Sequence, residues 1–305
     1  MKKLICTLLA LAMLLSAAAL AETPTEDRAG NPIAIPESIE KIISLAPATT
    51  EILEAIGAKD KIIAVDTQTP LYVAGFDDVP QFDMMAPDVE AIAALEPDIV
   101  LTSGMSYIDG DPYHALVDMG ICVIEIPSST SIQGVADDIV FTAACIGLAD
   151  EGQALADGML AQIEELSAIG ATIEEKKSVF FEISALPYIY SCGKGTFIDE
   201  MMEKIGANNV LGDMEGWVSV TEEDAVASNP DVILTSVNYI EDSVGEILSR
   251  SGWEGVTAIA NGDVYYIDNA ASSLPDQNIV KAMIEMALAI YPEAYAAYAD
   301  VDAAA

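Results

Sequence analysis

The chain has 305 residues, 12 of them basic against 50 acidic, and a formal net charge of −38. That balance excludes nucleic acid as a partner, because phosphates demand lysine and arginine, and it excludes docking on anionic lipid head groups. A hydrophobic content of 52% is ample for a core, so the acidity reads as a solvated surface and not as disorder.

Lys2 and Lys3 precede an apolar run from Leu4 to Leu20 that closes on Ala19-Leu20-Ala21. A basic start, a short apolar stretch and a small-x-small end predict a signal peptide, residues 1–21, cleaved after Ala21. The run is short for a membrane span, and Glu22-Thr23-Pro24 ends it. Cys6 stands near its start and not just after it, so the expectation is an exported protein, periplasmic or extracellular, soluble and free of a lipid anchor. The cysteines that remain, Cys122, Cys145 and Cys192, form no disulfide framework or metal-ligand spacing. Whether two of them pair is left open.

The next elements alternate. Ile42–Leu45 reads as a strand, Ala46–Thr50 as a turn and cap, and Glu51–Ile56 as a helix stopped by Gly57. Ile62–Val65 and Ile121–Ile126 are further strands separated by helix-length segments, which implies crossovers and a mainly parallel sheet. These elements make a first α/β lobe, residues 22–148. From Ser131 to about Glu174 no proline intervenes and apolar residues recur at helical spacing: Val135, Ile139, Ala143, then Leu155, Met159, Ile163 and Leu166. The second part, residues 149–175, predicts a connecting helix of about 25 residues, roughly 37 Å long. Gly152, Gly158 and Gly170 count against its continuity. A second lobe, 176–305, opens on Ser178–Phe181 and ends in a helix near Gln277–Ala289, with an Ala- and Tyr-rich tail expected to fray.

Pro97-Asp98-Ile99-Val100-Leu101-Thr102-Ser103 returns 133 positions later as Pro230-Asp231-Val232-Ile233-Leu234-Thr235-Ser236. A glutamate, Glu90 or Glu223, stands seven residues before each copy. Such a spacing is the size of a domain and far too long for a solenoid period. The fold class follows: α/β, two similar lobes with mainly parallel sheets, joined by one long rigid helix, with a ligand cleft between the lobes.

The segment Ile42–Leu53, with Ile42-Ile43-Ser44-Leu45-Ala46-Pro47-Ala48-Thr49-Thr50-Glu51, resembles the opening of the helical-backbone (class III) substrate-binding proteins of ABC importers. That family captures vitamin B12, ferric siderophores and haem. Asp88–Ile92 through Pro97–Val100, Gly216–Glu223, and Trp253–Ile267 resemble its later signatures, in the expected order over nearly all the chain. The resemblance implies an extracytoplasmic receptor that delivers a metal chelate to a permease with its cytoplasmic ATPase. It further implies that Glu90 and Glu223 lie at the tips of the lobes and dock into arginine pockets of the permease, where bidentate carboxylate–guanidinium contacts suit the purpose. Without the match, each glutamate would read as a helix first-turn residue favoured by the macrodipole.

Ligands of open parallel sheets bind beyond the carboxyl ends of strands. The expected cleft residues are Trp217, Tyr190, Asp268, Tyr72, Met84, Tyr107 and Tyr239, with Lys194 as the plausible cleft cation. Trp217 resembles a cleft tryptophan of the vitamin B12 binders, whereas Met84 and Met85 stand where those binders place another aromatic. Scarce basic residues favour a neutral or cationic chelate, such as a corrinoid or hydroxamate complex, over an anionic one. A cofactor of the protein's own is not expected, and the working state is expected to be a monomer.

Catalytic chemistry finds no foothold. His114 is the only histidine, too few for direct capture of zinc or a nucleophile–base pair. Cys192-Gly193-Lys194-Gly195-Thr196 lacks the glycine spacing of a phosphate loop. The different-class alternative is an enzyme or cofactor-assembly protein on the same bilobal architecture, using cleft carboxylates such as Asp268.

Overall fold

The computed structural model describes residues 23–299, so the leader segment 1–21 lies outside the described residues. Five strands, β1 (Ile42–Ser44), β2 (Ile62–Asp66), β3 (Gln81–Phe82), β4 (Ile99–Ser103) and β5 (Cys122–Ile126), form a parallel sheet in the order β3-β2-β1-β4-β5. The branched runs of β1 and β4 are buried throughout, as expected for strands covered on both faces. In the second lobe β6 (Ser178–Glu182) lies in a four-stranded parallel sheet, completed by β8 (Asn208–Asn209), β10 (Val232–Thr235) and β11 (Val264–Tyr266) in the order β11-β10-β6-β8. Between these in sequence, β7 (Ile189–Cys192) and β9 (Trp217–Val220) pair antiparallel as a separate ribbon.

The internal repeat has a mechanical meaning. Asp98 accepts hydrogen bonds from the N–H groups of Glu40 and Lys41, just ahead of β1. Asp231 accepts from the N–H and hydroxyl of Ser178, where β6 begins, and these donors hold its carboxyl below the usual range. Each Pro-Asp turn therefore ties its own strand to the start of the neighbouring one. Two residues earlier, Glu96 (φ 50°) and Asn229 (φ 44°) adopt the same left-handed conformation, which ends the preceding helix.

At the junction the expected connecting helix does not stand alone. Two helices, Ile132–Cys145 and Ala149–Gly170, pack against each other along it. The first straddles the molecule, since Val135 and Ile139 belong to the core shared with the second lobe while Ala143 and Cys145 belong to the core of the first. Leu155 packs on both cores, and the N–H of Ile132 donates to Glu200 across the junction. The connecting helix is unbroken over 22 residues, about 33 Å. Its last residue, Gly170, lies against the backbone of Lys204 and Ile205.

Two of its three glycines are explained by close approach. A Cβ on Gly152 would strike Ala143, and one on Gly170 would strike the Lys204 carbonyl, whereas Gly158 is exposed with nothing near it. Gly158→Ala is expected to stabilise the fold by about 0.5–1 kcal/mol, through helix propensity alone, and Gly170→Ala to destabilise it. Chemical denaturation of the two variants checks both signs.

The tail does not fray up to the last described residues. The buried Tyr295 hydroxyl reaches the carbonyls of Leu166 and Ile205, at 3.2 and 3.0 Å. Tyr291 donates to the Gly206 carbonyl and accepts from the Lys177 N–H. A composition rich in alanine and tyrosine looked loose, but phenols can satisfy buried polar groups while filling apolar space.

Candidate functional site

A cleft of about 430 Å³ opens beyond the carboxyl ends of β1, β4 and β5 and is shared by the two lobes. The first lobe contributes residues 46–49, Met84, Ser103, Met105 and the segment 126–129. The second contributes Tyr190, Phe197, Trp217 and residues 273–275. The antiparallel ribbon explains the aromatic wall. Cys192 pairs with Trp217 and Tyr190 with Ser219, so Tyr190 and Trp217 share one face of the ribbon, because side chains two apart point the same way. They remain 38% and 40% exposed. Phe197, first residue of the helix Phe197–Lys204, meets the Trp217 ring edge-on at 5.9 Å, a favoured aromatic geometry.

The electrostatics are muted. Among the described residues, neither lysine nor arginine lines the cleft, and its single carboxyl is that of Asp138. Burial raises the pKa of Asp138, while hydrogen bonds from Ser129 and Arg28 oppose the rise. The helix Pro47–Ala55 opens here with Ala46 as its cap and no side-chain cap bond. Its first N–H groups thus supply partial positive charge but no full cation.

A larger concavity, about 600 Å³, lies on the flank of the first lobe and includes Asp27, Asp111, Glu125, His114 and Tyr113. It is confined to one lobe, and its acids crowd each other: burial first, then Asp27 and Asp111, raise the pKa of Glu125. His114 begins a short helix, 3.8 Å from Asp111 and 3.7 Å from Asp118. Among the described residues, no group of three or more His, Cys, Asp or Glu side chains is placed to hold a metal ion. Cys122, Cys145 and Cys192 are free thiols, and burial pushes the pKa of Cys145 and Cys192 up to about 12.

Trp217, Tyr190 and Met84 line the shared cleft, and five other expected cleft residues do not. Tyr72 packs on the core of the first lobe. Tyr107 lines the flank concavity, hydrogen-bonded to Thr102 at 3.1 Å, and burial pushes its pKa up to about 12. Tyr239 uses its hydroxyl to accept from the Ala185 N–H. Lys194 lies out in solvent, 3.8 Å from Glu215. Asp268 caps the helix Asn269–Ser273 through the Ala271 N–H and pairs with Lys281 at 3.1 Å. Burial alone would raise its pKa, but these donors hold it below the ordinary value. Residues 127–129, which follow β5, were missed, although the rule that ligands gather at strand ends points to them.

Glu90 and Glu223 occupy the same place in matched helices, the second residue of Val89–Ala94 and of Glu222–Ser228. Asp88 and Thr221 cap these helices, accepting from the N–H of Ala91 and Asp224. Both glutamates are exposed.

The sequence matches the periplasmic binding protein family over residues 42–271. It is 32% identical over 274 residues to an uncharacterized ABC transporter substrate-binding lipoprotein of Bacillus subtilis, covering 88% of this chain and 86% of that protein. It is 27% identical over 258 residues to a vitamin B12-binding protein of Vibrio parahaemolyticus, covering 82% and 89% respectively. Among solved structures, a periplasmic haem-binding protein from a Roseiflexus species superimposes with a TM-score of 0.74 at 21% identity, over 84% of this chain and all of that one.

Proposed function

Because this chain belongs to the periplasmic binding protein family, we propose that it is the extracytoplasmic receptor of an ABC importer, holding a metal chelate between its lobes and handing it to the permease. One observation carries the ligand class: the shared cleft sets Trp217, Tyr190 and Phe197 opposite Met84 and Met105, without a lysine or arginine. A ligand with a flat or apolar face and little negative charge suits such walls, which leaves corrinoid- or hydroxamate-type chelates ahead of anionic ones, the dicarboxylate haem among the latter. It acts by stoichiometric binding and not by turnover, as a monomer, and Glu90 and Glu223 are its contacts to the permease.

Fluorescence tests the cleft directly. The protein has two tryptophans, Trp217 at the cleft and the buried Trp253, so quenching by an added chelate in the wild type, compared with quenching in Trp217→Phe, reports on Trp217. Titration with cobalamin, a ferric hydroxamate siderophore and haemin is expected to give one saturating ligand at one equivalent. Trp217→Ala should then lose about tenfold in affinity, because a stacking contribution of ~0.5–1.5 kcal/mol disappears together with apolar contact. Unchanged affinity would place the ligand elsewhere, and chemical conversion of the chelate would favour the enzyme reading.

Export predicts the N-terminus of the secreted protein. Edman sequencing is expected to begin at Glu22, and a product that still carries Met1 would refute cleavage after Ala21.

A further inference from the structure

Three consecutive acids open the helix Glu222–Ser228, and two of them are already engaged. Asp224 accepts from the Thr221 hydroxyl at 2.7 Å, within the cap of the helix. Glu222 turns toward the lobe and accepts from the indole N–H of Trp253 at 2.9 Å. Glu223 is exposed, and among the described residues its carboxylate meets no hydrogen-bond donor or cation.

The indole is a firm support. Trp253 is 1% exposed, packs in one cluster with Phe180, Ile233 and Ala225, and lies under the guanidinium of Arg250. A buried indole N–H requires an acceptor, and the first residue of this helix supplies it.

The matched helix Val89–Ala94 has the same geometry with different chemistry. Counting from the caps Asp88 and Thr221, Val89 stands where Glu222 stands, and Glu90 where Glu223 stands. Residues three apart share a helix face, so Val89 goes with Ile92 and Glu222 with Ala225. Val89 and Ile92 pack on the core of the first lobe. Ala225 does the same in the second lobe, but Glu222 uses a hydrogen bond. Each helix is thus pinned at the residue just before its exposed glutamate, which is turned about 100° away around the axis. Helices of six or seven residues are marginal by themselves, so the direction of the first turn depends on what pins it.

We propose that Glu222 is a positioning residue: held by the Trp253 N–H, it fixes the first turn so that Glu223, and neither Glu222 nor Asp224, meets the permease. The inference rests on Glu223 being the contact of the second lobe, as argued above.

Docking is measured with the purified permease and its ATPase in phospholipid nanodiscs, without added chelate. Glu222→Leu and Trp253→Phe both remove the hydrogen bond, and the second keeps an aromatic ring under Arg250. Each should weaken docking about tenfold, the scale of a hydrogen bond to a charged group. Glu222→Gln keeps an oxygen acceptor and should dock as the wild type does. With Glu223 replaced by alanine nothing is left to position, so in that background neither change should cost anything further. A general loss of stability would persist there. The indole N–H resonance of Trp253 should move in Glu222→Leu and stay in place in Glu222→Gln, which checks the bond itself. Urea midpoints identify a variant that is merely unfolded, and the exposed Glu222 provides the test if Trp253→Phe does not fold.

Undiminished docking by Glu222→Leu and Trp253→Phe, beside a defective Glu223→Ala, would overturn the positioning role and leave the contact standing. A loss in Glu222→Gln as large as in Glu222→Leu would make Glu222 a direct contact through its charge, which overturns it too. If Glu223→Ala docks normally, the contact and its positioning fall together.

Discussion

Import is expected to fail when Glu90 and Glu223 are both replaced by alanine, while the purified double variant still binds its ligand with wild-type affinity. Each carboxylate is exposed near the start of a short helix, where its intramolecular role is confined to the helix dipole. That contribution is about 0.3–1 kcal/mol at most, so the variant should fold normally. At an interface the same group matters far more. Truncating one partner of a desolvated charge pair costs about 2–5 kcal/mol, which is roughly thirtyfold or more in affinity for each lobe. Uptake in cells and docking to the permease in vesicles should therefore collapse together, with each single variant in between. Wild-type uptake by the double variant would return the two glutamates to the role of helix first-turn residues.

Arg250→Met is expected to be the most damaging single change to stability, at about 3–5 kcal/mol. Arg250 is buried in the second lobe, bonded through both terminal nitrogens to Glu182 at 2.6 and 2.9 Å, to Glu246 at 2.6 Å, and stacked 4.9 Å over the Trp253 ring. Side-chain exposure of the pair is only 3% for Arg250 and 1% for Glu182. Burial already raises the pKa of Glu182, and Arg250 opposes that rise; without the guanidinium only burial and the charge of Glu246 would act. The sign with pH follows. A carboxyl whose folded pKa lies above its unfolded value destabilises the fold as pH climbs past the unfolded value, near 4.3. The gap between variant and wild type should hence be wide at neutral pH and narrow on acidification. Urea midpoints measured across that range check it, and a gap that does not depend on pH would mean that lost packing and not the stranded carboxylate is responsible.

The lobes were legible because their signals are local. A run of branched residues after Pro-Asp makes a buried strand in both halves, and the duplicate spacing exposes the repeat before any coordinates are seen. What Asp98 and Asp231 do was not legible, since each reaches the start of a strand 57 or 53 residues away. The cleft was half legible. Residues 46–49, Ser103 and Met105 follow from the rule of strand ends, and Trp217 and Tyr190 from the resemblance. Tyr239 and Asp268 were lost because hydrogen bonds elsewhere already use their polar atoms, and no pattern of residue types announces such prior engagement. Phe197 is a different case: it is buried in the core and at the same time packs in an edge-type contact with the tryptophan of the cleft, and no sequence signal marked it.

The straddling helix Ile132–Cys145 bears on how the molecule melts. Its residues belong to two hydrophobic cores at once, and Ile52 of the first lobe sits within the core of the second, so neither lobe owns a boundary along which it could part from the other. The two halves then constitute one cooperative folding unit, and heat should unfold them in a single transition. Any ligand held by side chains of both lobes raises that transition as a whole, by the free energy RT ln(1 + [L]/Kd). Occupancy of the cleft is thus reported by the stability of residues far from it, including the tyrosines that anchor the end of the chain.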